Sequence, residues 1–224
     1  MLKFYFFPGN YCGADYRQIV EDAYSMWNLV WSETFEELDG NPSLFSDDFT
    51  RQDEIGALFV NETCAGVIFL NYVNLDHSRF KKDSYFKIWS KEDINELTKD
   101  GNKVIIGSNI TVHKDFRQKM VEGERVKNVV LRQAVNKLIQ KDYDVMTGTM
   151  RCNRGMDTLA QSMGGQEISN NVIHHGVNVS LMGFYSKTSR ESQSSTNLKL
   201  WTNRVEIKNK LNFESVNSPT KKVS

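Results

Sequence analysis

Hydrophobic and polar positions change period several times along the chain, and each change marks an element. Leu2-Lys3-Phe4-Tyr5-Phe6-Phe7 is a short aromatic run closed by Pro8-Gly9, the pattern of an edge strand ending in a turn. From Asp15 to Leu38 apolar residues recur at Ile19, Ala23, Met26, Trp27, Val30, Trp31 and Phe35. Spacings of three and four predict one long helix whose aromatic stripe packs into the core. Asp39-Gly40-Asn41-Pro42 then supplies strong breakers. Ile55 to Val60 and Ala65 to Leu70 are β-rich runs separated by Asn61-Glu62-Thr63-Cys64, which predicts an antiparallel hairpin. Leu75 to Gly101 keeps no sustained period, apart from Ser90-Lys91-Glu92-Asp93. A serine followed by first-turn acids predicts a short helix reaching Leu97.

The second half alternates strand and helix. Val104 to Val112 reads as a strand, His113 to Lys119 as a basic turn, and Arg125 to Lys141 as a helix with Leu131, Ala134, Val135, Leu138 and Ile139 on its apolar face. Tyr143 to Met150 is a second strand, and two strands joined through a helix should run parallel. Arg151-Cys152-Asn153-Arg154-Gly155-Met156 leads into a short helix. A polar loop follows from Gln166 through His174-His175-Gly176, and then a long strand, Val177 to Tyr185. The fold class is mixed α/β (α+β), a bent and mostly antiparallel sheet flanked by helices. Residues 1–185 read as one domain and 186–224 as a polar, basic, partly disordered tail, to which Leu198-Lys199-Leu200-Trp201 and Val205-Glu206-Ile207 add one amphipathic element.

Composition narrows the function classes. The 224 residues carry 28 basic and 28 acidic side chains, so no whole-chain field points to nucleic acid. No apolar run approaches a membrane span, and the start is too short for a signal sequence. Cys12, Cys64 and Cys152 are odd in number and at no metal-ligand spacing, which predicts a reduced, cytoplasmic setting and no metal.

Candidate chemistry centres on the turn at Arg117. A strand feeding a helix N-terminus through Lys114, Arg117 and Lys119 forms an anion site, because unpaired N–H groups and the positive dipole end meet there. Three patterns fall in order along the chain: the hairpin Asp53–Val60 with Ala65–Ile68, the strand end Ile110-Thr111-Val112-His113-Lys114-Asp115-Phe116-Arg117, and Asn153-Arg154-Gly155-Met156 with Leu159, Met163 and Gly164. Together they resemble the GNAT superfamily of acyl-CoA N-acyltransferases over roughly Asp15 to Tyr185. The resemblance implies acyl transfer from acetyl-CoA or another acyl-CoA to a small-molecule or protein amine, by direct attack in a ternary complex. It implies that Ile110, Thr111 and Val112 hold the thioester, that Arg117, Gln118, Lys119 and Gly123 cradle the pyrophosphate, and that Asn153 binds the pantetheine arm. The plain alternative for Asn153 is a helix N-cap.

The chain departs from the family pattern at several places, including Gly165, which stands where an aromatic follows the final glycine. Met120-Val121-Glu122 stand where its phosphate loop has glycine or alanine, about half a dozen residues are inserted before the helix, and Ala160 stands where a tyrosine protonates the leaving thiolate. Related N-acyl amino acid and acyl-homoserine lactone synthases suggest acyl carrier protein as an alternative donor and partner. A non-catalytic binding module is the alternative from another class. The central strand brings no carboxylate, so the general base is sought elsewhere, and His174 and His175 before the last long strand are the choice. Their adjacency should point the two rings apart. His113, Glu54 and the Asp76-His77 pair are further candidates, while Cys152 has no adjacent base and reads as a packing residue.

Overall fold

The computed structural model describes residues 1–40, 43–189 and 194–209. Its elements in chain order are β1 (Leu2–Phe7), α1 (Arg17–Asp39), α2 (Asp47–Thr50), β2 (Glu54–Val60), β3 (Thr63–Asn74), α3 (Ser78–Lys81), α4 (Lys91–Leu97), β4 (Lys103–Val112), β5 (Met120–Val121), β6 (Glu124–Arg125), α5 (Val126–Gln140), β7 (Val145–Arg151), α6 (Met156–Ser162), β8 (Gln166–His174), β9 (Val177–Tyr185), α7 (Ser195–Thr202) and β10 (Val205–Glu206). Eight strands form one mixed sheet in the order β10-β1-β2-β3-β4-β7-β9-β8, and only β1–β10 and β4–β7 are parallel. The mixed class and the parallel pair match the sequence expectation.

Helix α1 buries its stripe on one face of β1–β3. Val20, Ala23, Met26, Trp27 and Val30 pack with Tyr5, Phe7, Ile55, Val67 and Phe69. The helix stops at Gly40 (φ 63°), whose N–H returns to Glu36 O. The segment after β3 covers the rest of that face, setting Phe86, Trp89 and Leu97 against Val104, Ile106, Val145 and Tyr185. Helix α4 within it begins with a reciprocal Ser90–Asp93 capping box, as its sequence predicts.

Helix α5 covers the opposite face. Val126, Val129, Val130, Ala134 and Leu138 pack on Phe4, Phe6, Leu58, Ile68 and Ile105, each of the valine, leucine, isoleucine and phenylalanine side chains stabilising the fold by roughly 1.5–3 kcal/mol. Gly66 lets the first turn of α5 settle on β3: a Cβ there would sit 2.9 Å from Val126 Cγ1 and 3.0 Å from Thr111 O. That close approach places the α5 N-terminus beside the end of β4.

Three sequence expectations change. Gln166 to His174 is an edge strand rather than a polar loop. Its side chains are largely exposed, so its apolar signal is weak, and its bulged pairing with β9 gives it no clean alternation. The first strand is not an edge, because β10 pairs with it at Tyr5–Val205 and Phe6–Glu206. Residues 194–209, read as tail, join the sheet and core, with Leu200 and Ile207 buried and Lys137 Nζ bonded to both Glu206 carboxylate oxygens at 2.8 Å. The rest of the expected disordered tail, residues 190–193 and 210–224, lies outside the described residues.

Candidate active site

β4 and β7 are paired only at Val104–Val145, Ile105–Met146 and Ile106–Thr147. Beyond that point β4 continues along β3 to Val112 and β7 continues along β9 to Arg151, so the sheet splits between them. A bulge sits at the split. Asn109 and Ile110 together oppose Ile68, and Asn109 takes φ 51°, a left-handed conformation that asparagine tolerates better than most residues. Bulges bend a strand and sharpen its twist. This one also resets the alternation: Ile106 faces the α1 side, yet Ile110 packs on the α5 side and Thr111 returns to α1.

A cavity of about 350 Å³ occupies the split. Ile110, Thr111, Val112, Arg117 and Gln118 line it, all from the predicted strand end and turn. Lys119, Gly123, Asn153 and the histidine pair His174 and His175 do not line it. Lys119 Nζ lies 5.2 Å from the Phe116 ring centroid, and exposed Asn153 sits in the 3₁₀ turn after β7. Asn153 is not the N-cap either, since Gly155 (φ 62°) precedes α6.

Five cations line the cavity, Arg117, Arg125, Lys127, Arg151 and Arg154, and none of its lining residues is acidic. They divide between the two faces of the sheet. Arg125 is the N-cap of α5 and makes no side-chain capping bond, so the first-turn amides and the helix dipole add to Arg117, Arg125 and Lys127 on that side. The inserted residues fold into the two-stranded ribbon β5–β6 around Glu122 (φ 47°) and Gly123 (φ 85°). The ribbon turns Glu122 toward Lys199, 3.9 Å away, while its carbonyl accepts from Thr196 Oγ1 at 2.9 Å. The acid that the sequence sets after Arg117 therefore faces α7 (Ser195–Thr202).

On the α1 side Trp31 donates its indole N–H to Thr111 Oγ1 at 2.8 Å, and Thr111 Oγ1 donates to Asn109 O at 2.8 Å. The Arg151 guanidinium lies 5.5 Å from the Trp31 ring centroid, and Arg154 lies 3.9 Å from Glu37 on α1. Phe35 stacks near Trp31 (5.4 Å) and near His175 (6.4 Å). The histidines occupy the β8–β9 turn, where His175 (φ 46°) and Gly176 (φ 69°) reverse the chain. Their ring centroids are 4.2 Å apart, so the turn brings together rings that adjacency was expected to separate. Burial, then His175, Arg151 and Lys87, hold His174 below the ordinary imidazole pKa.

The remaining candidates have other work. His113 Nδ1 accepts from the Asp115 amide as a cap. Glu54 joins Lys137 (3.2 Å) and Tyr72 (2.5 Å). Asp76 accepts from Asn102 at the far end of β3. Cys152 Sγ lies 3.6 Å from Ser180 Oγ. Ala160 is fully buried in the α5-side core. Tyr85 is a hydroxyl that sequence reasoning missed: Thr149, which lines the cavity, donates to its Oη at 3.4 Å, and burial pushes its pKa up to about 12. Trp31 was read as plain core, and no periodicity distinguishes it from its neighbours. Among the described residues no group of three or more His, Cys, Asp or Glu is arranged to hold a metal ion, and no helix is long and apolar enough to cross a membrane.

The fold is GNAT-like, a bent sheet split between two parallel central strands. A CoA-dependent acyl-homoserine lactone synthase solved with SAM and isopentyl-CoA superposes with a TM-score of 0.56 at 8% identity, covering 93% of this chain and 94% of that one. An N-acyl amino acid synthase from uncultured soil microbes gives 0.52 at 13% identity, over 84% and 90% of the two chains. An acetyltransferase of the GNAT family from Streptococcus pneumoniae gives 0.50 at 13% identity, over 83% and 99%. No family model and no curated protein sequence matches the chain.

Proposed function

We propose that this protein is an N-acyltransferase that moves an acyl group from acyl-CoA to an amine by direct attack. One observation carries the reading: the cavity in the split sheet is lined by a helix N-terminus with Arg117, Arg125 and Lys127 on one face and by Trp31 and Arg151 on the other. A donor with a diphosphate at one end and a thioester at the other suits the first face and the split. An amine reaches the thioester from the second. The folds compared above include enzymes of this chemistry, one of them solved with an acyl-CoA.

The residues divide the work as follows. Arg117, Gln118, Arg125 and Lys127, with the α5 amides, hold phosphate oxygens by charge-assisted hydrogen bonds. Beyond Ile106 and Thr147 the facing edges of β4 and β7 form no ladder, so backbone groups from Gly107 to Val112 are available to orient the thioester and its oxyanion. The amine nitrogen bonds to the thioester carbonyl carbon and the C–S bond breaks. The amine proton passes to His174 or His175, as base; the thiolate takes a proton relayed from Tyr85 through Thr149, whose hydroxyl turns from Tyr85 Oη to the sulfur while Tyr85 donates to Thr149 Oγ1, in place of the tyrosine absent at Ala160.

A carrier-protein donor is the second reading, favoured by exposed Arg117 and Arg125, which would meet an acidic carrier surface. The test is thermal unfolding with CoA, acetyl-CoA and a long-chain acyl-CoA, on the wild type and on Arg117→Ala and Arg125→Ala. Saturating ligand should raise the midpoint by about 5 °C or more, and both variants should lose most of the rise. No rise with any of the three overturns the CoA reading.

A further inference from the structure

We propose that Met150 sets the length of the acyl chain this protein transfers and holds it to a few carbons. The proposal rests on the acyl-transfer reading and concerns the closed end of the same cavity. The β4–β7 ladder stops at Ile106–Thr147, so Gly107 and Gly148 are the first residues of the split. Arg117, Arg125 and Lys127 lie at its open end, past Val112. A donor whose phosphates meet those cations lays its acyl end toward the two glycines.

The two sides of the closed end differ in chemistry. Side chains alternate along β7, so Met146, Gly148 and Met150 share the α5 side, where both methionines are buried. Thr149 points the other way, to the Tyr85 hydroxyl. Gly107 belongs to the methionine side, since a Cβ there would lie 3.6 Å from Met146 Sδ. A hydrocarbon chain leaves the thioester on the apolar side and keeps clear of the hydroxyls.

The paired glycines leave room, and a methionine fills it. A Cβ on Gly148 would sit 2.6 Å from Met150 Cε and 3.3 Å from Gly107 O. The Met150 side chain therefore folds back over Gly148, and its methyl stands where any other residue at 148 would place a side chain. Met150 also lines the cavity and is 6% exposed. It is the wall between the cavity and the core, and an acyl chain growing toward the glycines meets it. An unbranched thioether yields a little, but the core behind it is close-packed. Met150→Ala removes Cγ, Sδ and Cε, room for about three methylenes, and each buried methylene changes binding by about fourfold.

The test is calorimetric titration of the full chain with CoA and with acetyl-, butyryl-, hexanoyl- and octanoyl-CoA, which needs no acceptor. Wild type should bind acetyl- and butyryl-CoA at least as tightly as CoA, and the two longer thioesters roughly tenfold more weakly than butyryl-CoA. Met150→Ala should bind hexanoyl-CoA roughly tenfold more tightly than wild type does, with CoA itself unchanged. Gly148→Ala should act in the opposite sense, because its Cβ drives the Met150 methyl into the cavity and weakens butyryl-CoA more than acetyl-CoA. Should Met150→Ala fail to fold, Met150→Val keeps more of the packing and should show the same change at several-fold. Equal wild-type affinity for butyryl- and octanoyl-CoA, or an unchanged order of affinities in the Met150 variant, overturns the proposal and leaves acyl transfer standing. Absence of binding by CoA and by all four thioesters overturns the acyl-transfer reading itself.

Discussion

The indole N–H of Trp31 donates to Thr111 Oγ1 across 2.8 Å, joining the middle of α1 to the bulged end of β4. The two residues are 80 positions apart in sequence, and Thr111 is 3% exposed. The bond ties the α1 wall of the cavity to the strand that carries the proposed oxyanion site. Thr111→Val leaves the indole donor without this partner and should cost about 1–3 kcal/mol. Trp31→Phe keeps a ring in place and should cost about 1 kcal/mol. Urea unfolding of both single variants and the double variant, analysed as a cycle, measures the coupling.

Lys137 holds the C-terminal strand to the core. It is 1% exposed, lies 3.9 Å from the Phe6 ring centroid, and bonds Glu54 and Glu206. Lys137→Met leaves Glu54 without its cation and Glu206 with Arg204 alone, and should cost about 3–5 kcal/mol. Burial pulls the Glu206 pKa up, but hydrogen bonds from Lys137 and Arg204 outweigh it and hold the carboxyl below its ordinary value. Its contribution to stability is therefore fully present above about pH 4.3 and is lost as pH falls through the lower folded value. The acid limb of a stability–pH curve should be flatter in Lys137→Met than in the wild type.

Helix α7 steadies the side of the cavity proposed to hold phosphate. Thr196 Oγ1 bonds Glu122 O, and Gln133 Nε2 on α5 bonds Asn197 O at 3.1 Å. Together these contacts hold the ribbon whose last residue, Arg125, caps α5. Thr196→Val should raise KM for the acyl-CoA donor several-fold with little change in KM for the acceptor. Steady-state kinetics with each substrate varied in turn checks the split, and equal effects on both would contradict a positioning role.

His174 titrates below the ordinary imidazole value of about 6.5. The sign for activity follows: the neutral base persists to lower pH, so the rising limb of kcat/KM should have its inflection below 6.5. The sign for stability is opposite to that of Glu206 in cause but similar in direction. The unfolded chain binds the proton more readily, so stability declines as pH falls below 6.5. His174→Gln should remove the part of the stability loss that begins just below pH 6.5 while the Glu206 loss at lower pH remains, and should remove the kinetic limb if His174 rather than His175 is the base.

Tyr85→Phe deletes a buried hydroxyl next to Thr149. It should lower kcat by about a hundredfold, the lower end of general-acid contributions, and leave the CoA-induced rise in unfolding temperature intact. A single-turnover measurement of thiol release tests this, and an unchanged rate would return the proton to solvent.

Local pattern alone determined most of the scaffold. The α1 stripe, the β2–β3 hairpin, the Ser90 cap and the parallel β4–β7 pair follow from apolar spacing, turn residues and crossover geometry, which act over a few residues. The candidate phosphate residues Arg117 and Gln118 were legible for the same reason, since a strand, a basic turn and a helix start lie in one stretch. Tertiary structure decided what sits across the cavity. The bulge at Asn109 reverses the facing of Thr111, and no local period announces a one-residue reset of β4. The ribbon at Glu122 looks like a damaged phosphate loop until Thr196 and Lys199, more than 70 residues later, take up its carbonyl and its charge. Trp31 and Arg151 come from separate parts of the chain and meet only because α1 and the end of β7 converge on the split, while His175 reaches Phe35 from the β8–β9 turn. Such long-range packing depends on how whole elements bury their faces together, and a one-dimensional pattern carries no record of it.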